Sequence, residues 1–325
     1  MNIDIHAHAL PHQTLEALSA AAPSFPGIQL TEADGKFQLQ FADGKPTRPV
    51  MPGLRMTPPR LEFLSSRDIQ LQLVGGWLDG FGYELEAEEG ADWSRFQNEH
   101  LQAVCKGEES LRALATVPLQ SGKHAAQVLR EAAAAGMPGA MIGTQPHGSH
   151  GNLDAEHLDE FWATAEELGT PIIVHPMFGS ADARLEDFQM MNAVGRVTDI
   201  TIAIARMLFT GHLTQFPKLK LVASTGGGAL PYTLGRLMRN CDAFPDLVAD
   251  PQEGFYKLYF DTIVFETSTL EFLVSKVGAD RIMLGSDYPF PIGDPNPLDV
   301  IRNGDFSEDQ KAAMTGGVAH ALFGL

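Results

Sequence analysis

Four residues far apart in the sequence have the types that a divalent cation prefers. His6-Ala7-His8 closes the first apolar alternation of the chain, Ile3-Asp4-Ile5. Side chains two apart on an extended backbone point to the same side, so both imidazoles can meet one ion. His175 follows the apolar run Pro171-Ile172-Ile173-Val174, and Asp287 follows Ile282-Met283-Leu284-Gly285-Ser286. Each has an ordinary reading when taken alone: a polar pair for His6 and His8, a satisfied strand-end histidine for His175, a helix N-cap or turn residue for Asp287. Together they are a different object. Three imidazoles and one carboxylate suit a borderline divalent ion that keeps a position open for water or substrate. Such an ion lowers the pKa of its water toward 7 and polarises a substrate oxygen. Asp287 can then serve both as ligand and as the group that shuttles a proton.

That convergence needs a fold that brings the four to one place. Short apolar or β-branched runs at 2–5, 69–74, 111–116, 140–142, 171–174, 219–223, 258–261 and 282–284 read as strands. Longer stretches rich in Ala, Leu and Glu separate them, such as 122–135 and 154–168. The second of these is expected to open on Asp154 as N-cap, with His157, Leu158, Phe161, Trp162 and Ala165 on one face. Gly136 and Gly169 stand where the residue after a helix C-terminus belongs. Strand-then-helix order implies parallel strands, because each crossover needs a dozen or more residues. Eight units fit a closed (β/α)₈ barrel, in which every strand ends on the same rim and active sites are built there. An open doubly wound sheet shares the same pattern. One stretch, about 11–60, breaks the rhythm with Pro, Gly and Thr. Within it, 27–30 and 36–41 read as a small hairpin around Ala33-Asp34-Gly35, an insertion after the first strand lying over the barrel mouth of a single domain.

Composition narrows the function classes. With 41 acidic against 23 basic residues, a formal charge of −18 repels phosphate backbones and anionic membranes. Nucleic-acid binding is therefore not expected. Cys105 and Cys241 are too few for a disulfide framework and read as reduced thiols. No apolar run approaches the roughly 20 residues of a membrane helix. The first strand begins beside Met1 with no cationic leader ahead of it, so the expected location is the cytoplasm. The run Gly226-Gly227-Gly228 lacks the Lys-Ser/Thr of a P-loop and the spacing of a dinucleotide fingerprint. A backbone bend that lets substrate approach fits it better.

The whole chain resembles the amidohydrolase superfamily, in its branch of 2-amino-3-carboxymuconate-6-semialdehyde decarboxylase and related aromatic-acid decarboxylases. The resemblance rests on Ile3-Asp4-Ile5-His6-Ala7-His8, Arg48-Pro49-Val50, Ala115-Thr116-Val117-Pro118-Leu119-Gln120 and Val174-His175-Pro176. It continues through Phe216-Pro217-Lys218-Leu219-Lys220, Gly226-Gly227-Gly228 with Leu234-Gly235-Arg236, and the block MLGSDYPFP from Met283 to Pro291. It implies a barrel, one divalent metal (zinc, with manganese as the alternative), and C–C cleavage that releases CO₂. His6, His8, His175 and Asp287 match the family's metal ligands. Arg48 matches an arginine that binds a substrate carboxylate, and Arg236 one that reaches into the neighbouring subunit's site, which implies a homodimer. Phe178 and Phe290 stand where an unsaturated acid can pack, although core packing explains an aromatic there equally well.

One departure matters. Where the decarboxylase branch carries a histidine base before the glycine triplet, this chain has Thr225. A threonine hydroxyl can hydrogen-bond but cannot take up a proton near neutral pH. Either Asp287 alone manages the proton or another base has moved in. His147 and His150, in the loop after the fourth strand, are candidates, with ordinary surface histidines as the plain alternative. Three functions are thus expected in contention. The first is a metal-dependent decarboxylase of an unsaturated or aromatic carboxylic acid. The second is a hydrolase of the same superfamily acting on a lactone, amide or ring-cleavage product. The third is a catalytically silent metal-binding barrel.

Overall fold

The structure is a computed structural model and describes residues 1–147, 150–177, 182–246 and 248–325. All eight strands expected from the sequence are present. They are β1 (Ile3–Ala9), β4 (Leu71–Gly76), β5 (Leu111–Ala113), β6 (Ala140–Gly143), β7 (Ile172–His175), β8 (Leu221–Ala223), β9 (Tyr259–Asp261) and β10 (Ile282–Met283), while β2 (Ile28–Ala33) and β3 (Lys36–Phe41) lie between the first two. The strands pair in parallel as β1-β4-β5 and as β6-β7-β8-β9-β10. Two seams join these sheets into a ring. Ala115 bridges Ala140 in parallel, with Ala115 N donating to Gly139 O at 2.9 Å and Met141 N to Ala115 O at 2.9 Å. On the other side Ile5 N donates to Leu284 O at 2.9 Å and His8 N to Tyr288 O at 2.8 Å. The open doubly wound alternative has no such return from last strand to first. The sheet is a barrel.

Its strands carry core residues such as Ile5, Leu73, Met141, Ile173, Val222 and Phe260, all buried. Strands with both faces covered read as near-continuous apolar runs, which is why they were recognisable. β2 and β3 form the expected antiparallel hairpin. Along β3 the alternation is strict: Phe37, Leu39 and Phe41 are buried between polar neighbours. These side chains join Trp77, Leu85 and Trp93 in a second apolar cluster beside the barrel core, so the insertion is anchored by burial.

Two expectations about one helix fail. The helix is Asp159–Leu168, preceded by a short turn Glu156–Leu158, and it does not start on Asp154. The Asp154 carboxylate instead accepts from Nε and Nη2 of the Arg206 guanidinium, at 2.7 and 2.7 Å. A bidentate charged pair outcompetes a single cap bond. His157 is exposed and does not belong to the buried face. Gly169 does end the helix in the left-handed region, at φ 63°.

Candidate metal centre and active-site cavity

The C-terminal ends of β1, β7 and β10 bring His6, His8, His175 and Asp287 together, with one donor atom from each within 4.8 Å of the others. Each imidazole has one nitrogen already committed. Nδ1 of His6 lies 2.7 Å from Asp261 Oδ2, Nδ1 of His8 lies 3.1 Å from Gly76 O, and Nδ1 of His175 lies 2.7 Å from Pro176 O. All three partners are acceptors, so Nδ1 carries the hydrogen and Nε2 presents a lone pair. The three Nε2 atoms face Asp287 Oδ1 at 3.6, 3.1 and 3.8 Å. His6 Nε2 is buried and has no hydrogen-bond partner among the described residues. Acceptors converging on acceptors need a positive charge between them. Ligands about 2.0–2.1 Å from a tetrahedral ion stand roughly 3.3 Å apart, which is close to the spacing here. The donor set fits a divalent cation.

Electrostatics point the same way. Burial drives the His175 pKa down to about 3, and burial lowers that of His8 as well, so both rings are neutral ligands. At His6 burial pulls down, but the hydrogen bond and charge of Asp261 outweigh it and the net shift is upward. At Asp287 burial pushes up, yet His175, His8 and His6 together hold the carboxyl below its ordinary range.

The backbone around the cluster is fixed from below. Asp4, two residues before His6, accepts from Gln72 Nε2 at 2.7 Å, Ser286 N at 3.0 Å and His6 N at 3.1 Å. The buried Arg60 donates to Gln72 Oε1 at 2.6 Å and to the His8 carbonyl at 2.5 Å. Asp287 N donates to His6 O at 2.8 Å, and Asp287 adopts φ 58°, a left-handed conformation rare for a non-glycine. Strands β1 and β4 and the segment after β10 are thereby held in one register.

A cavity of about 590 Å³ opens onto this cluster. His175, Asp287, Arg48, Arg196 and Phe290 are among its walls, with Met51 and Leu78 adding apolar surface. Phe290 packs on His8 with ring centroids 5.2 Å apart. Arg48 is not the open receptor that its type suggests. Its Nε and Nη2 donate to the two oxygens of the buried Asp79, both at 2.9 Å. Among the described residues lining the cavity, Thr225 and Arg236 do not appear. Thr225 follows β8 at φ 55°, where Gly226 N donates to Asp261 Oδ1 at 2.8 Å, and Arg236 lies on the exposed side of the helix Leu230–Ala243. Phe178 falls outside the described residues. His147 and His150 stack on each other at 5.6 Å, and His147 also meets the His157 ring at 5.3 Å. Neither lines the cavity among its described residues. Sequence reasoning missed Asp261, Asp79 and Arg196. For Asp261 a signal existed, since it ends the seventh barrel strand on the same rim.

The Amidohydrolase family model matches residues 3–325. The chain belongs to the amidohydrolase family. It is an enzyme of that superfamily, and its relatives place it in the branch of 2-amino-3-carboxymuconate-6-semialdehyde decarboxylase. One enzyme of that name, from Dictyostelium discoideum, is 29% identical over 333 residues, covering 100% of this chain and 92% of its own. Among solved structures, 5-carboxyvanillate decarboxylase from Sphingomonas paucimobilis superposes with a TM-score of 0.82 at 22% identity, covering 100% of this chain and 99% of its own. A dihydroxybenzoic acid decarboxylase from Polaromonas sp. JS666, with bound manganese and the inhibitor 2-nitroresorcinol, gives a TM-score of 0.79 at 18% identity, covering 100% and 97%. At these identities the structural likenesses establish the amidohydrolase barrel. No helix among the described residues is long and apolar enough to cross a membrane.

Proposed function

We propose that this amidohydrolase is a single-domain, metal-dependent decarboxylase of an unsaturated or aromatic carboxylic acid. The observation that carries the reading is the set of three Nε2 lone pairs and one carboxylate oxygen aimed at a common centre, each ring pinned through Nδ1. His6, His8, His175 and Asp287 would hold the ion, zinc or alternatively manganese. That ion supplies Lewis-acid polarisation of a substrate oxygen. The rest falls to the chain. Asp287 lines the cavity and takes or gives a proton at its carboxylate. Phe290, Met51 and Leu78 offer a flat unsaturated acid an apolar wall and keep water from the carbon that is protonated as CO₂ departs. Arg48 paired with Asp79 forms a neutral, rigid side of the pocket. Arg236 of a second copy completes the site in a homodimer, as the family resemblance implies, and the low cysteine content suits a cytoplasmic enzyme.

Thr225, in place of the family's histidine, keeps a second reading in play: hydrolysis of a lactone, amide or ring-cleavage product. The two are separated by incubating metal-loaded protein with both substrate sets while following CO₂. Release of CO₂ with one carboxylate lost per turnover supports the decarboxylase; hydrolysis products without CO₂ support the alternative. Turnover that vanishes in Asp287→Ala with the fold retained removes the silent-barrel reading.

A further inference from the structure

Asp199 is a buried carboxylate that the proposed chemistry leaves unused. It stands in the first turn of the helix Arg196–Phe209, where the free N–H groups of a helix favour a negative charge. Its partners among the described residues sit just after β6 and β7, beside the metal centre. Thr144 Oγ1 donates to Asp199 Oδ2, and Gln145 Nε2 donates to Oδ1 at 2.9 Å. Met177 N, two residues after His175, donates to Oδ2 at 2.8 Å and is shared with Thr144 Oγ1 at 3.1 Å. Thr144 N in turn donates to the His175 carbonyl at 3.1 Å. One carboxylate thus ties two strand ends to one helix.

The bond to Met177 matters because of the peptide unit it grips, Pro176 C=O with Met177 N–H. That carbonyl accepts from His175 Nδ1 at 2.7 Å and from Arg196 Nη1 at 3.0 Å, one donor for each lone pair. A guanidinium on the oxygen draws electron density away from the imidazole that shares it. A carboxylate on the N–H side pushes density back along the amide towards the oxygen. The carbonyl then holds His175 Nδ1–H more firmly, and Nε2 becomes a better donor to an ion. His6 has a carboxylate directly on its ring, in Asp261. His175 has one at a remove of a single peptide. We propose that Asp199 is a positioning residue of the metal centre: it clamps the Pro176–Met177 peptide, and so fixes the His175 ring and strengthens it as a ligand. This rests on the metal-dependent reading and adds to it a carboxylate that acts through the backbone.

The test uses Asp199→Asn, which keeps the size of the side chain and removes its charge. Zn²⁺ affinity is measured by chelator competition on wild type and variant, with thermal melts of both metal-free proteins to establish that they are folded. Asp199→Asn should bind Zn²⁺ about tenfold more weakly, the lower end of the effect of partners on metal-bound histidines. Loading with Co²⁺ adds a spectroscopic readout, because a changed His175 donor should shift the visible d–d bands. A lower melting temperature with unchanged Zn²⁺ affinity and unchanged Co²⁺ bands would make Asp199 a packing residue and overturn the proposal, while the metal reading stands. If the variant does not fold, the Met177 amide proton of wild type carries the test. Gripped by a carboxylate, it should exchange slowly and resonate downfield; free exchange overturns the proposal. A wild type that binds no Zn²⁺ removes the metal reading itself, and this proposal with it.

Discussion

Each of the three histidines is oriented by a partner on its far nitrogen, and the partners differ in strength. Asp261, gripping His6 at 2.7 Å and itself held by Gly226 N at 2.8 Å, is the charged one. Asp261→Asn keeps the shape but removes the charge that sets ring orientation and basicity, and should weaken ion binding about 10- to 100-fold in a chelator competition. An unchanged affinity would reduce Asp261 to packing. The pKa of His175 has a consequence for the metal-free protein. In the unfolded chain this ring takes a proton near pH 6.5, whereas in the fold it stays neutral down to about 3. Between those values the unfolded state binds more protons, so stability rises with pH and is lost on acidification. The loss from this group approaches about 1.4 kcal/mol per pH unit below 6.5. Thermal melts of the apo-protein at pH 7, 6 and 5 should show falling midpoints; a flat profile would mean that the ring is not held neutral.

At the scale of elements, the barrel strands were legible because a strand buried on both faces leaves an apolar run bounded by turn residues. The rim position of His6, His8, His175 and Asp287 followed from that. Capping was less legible: Asp154 has the right type for an N-cap, but Arg206, 52 residues away, claims its carboxylate. Arg196 was invisible for a related reason, because its place on the cavity wall depends on how a loop between β7 and the next helix returns, and no periodicity records that. Arg48 was found as a residue but not with its state, since Asp79 sits in a separate segment. The glycine triplet makes the expected bend, but what comes close to it is the helix Arg196–Phe209, and the triplet is not among the described residues that line the metal-centre cavity. Gly228 has φ 62°, and a Cβ there would lie 2.6 Å from both Thr201 Oγ1 and Val197 O and 2.8 Å from Ile200 Cγ2. Gly228→Ala should therefore cost on the order of 2 kcal/mol or more in chemical denaturation. A cost within about 0.5 kcal/mol would mean that the bend adapts freely.

For the whole molecule, an anionic ligand approaches a strongly acidic chain whose cavity lining includes Arg48 and Arg196. Local cations must overcome a formal charge of −18, and raising salt should weaken long-range repulsion more than the contacts inside. Arg236 belongs to this scale. It is exposed here and does not line its own chain's cavity among the described residues, which suits the proposal that it serves a second copy. Arg236→Ala should raise KM by about tenfold or more, with the melting temperature within a degree or two of wild type. An unchanged KM would mean that the side chain takes no part in any site. The measurement that bears most directly on the account is elemental analysis of purified protein beside His175→Ala. Wild type should carry close to one divalent ion per chain, and His175→Ala should carry little and turn over nothing. A wild type without stoichiometric metal after metal loading, or a variant that keeps a full complement, would contradict the centre on which every proposed step depends.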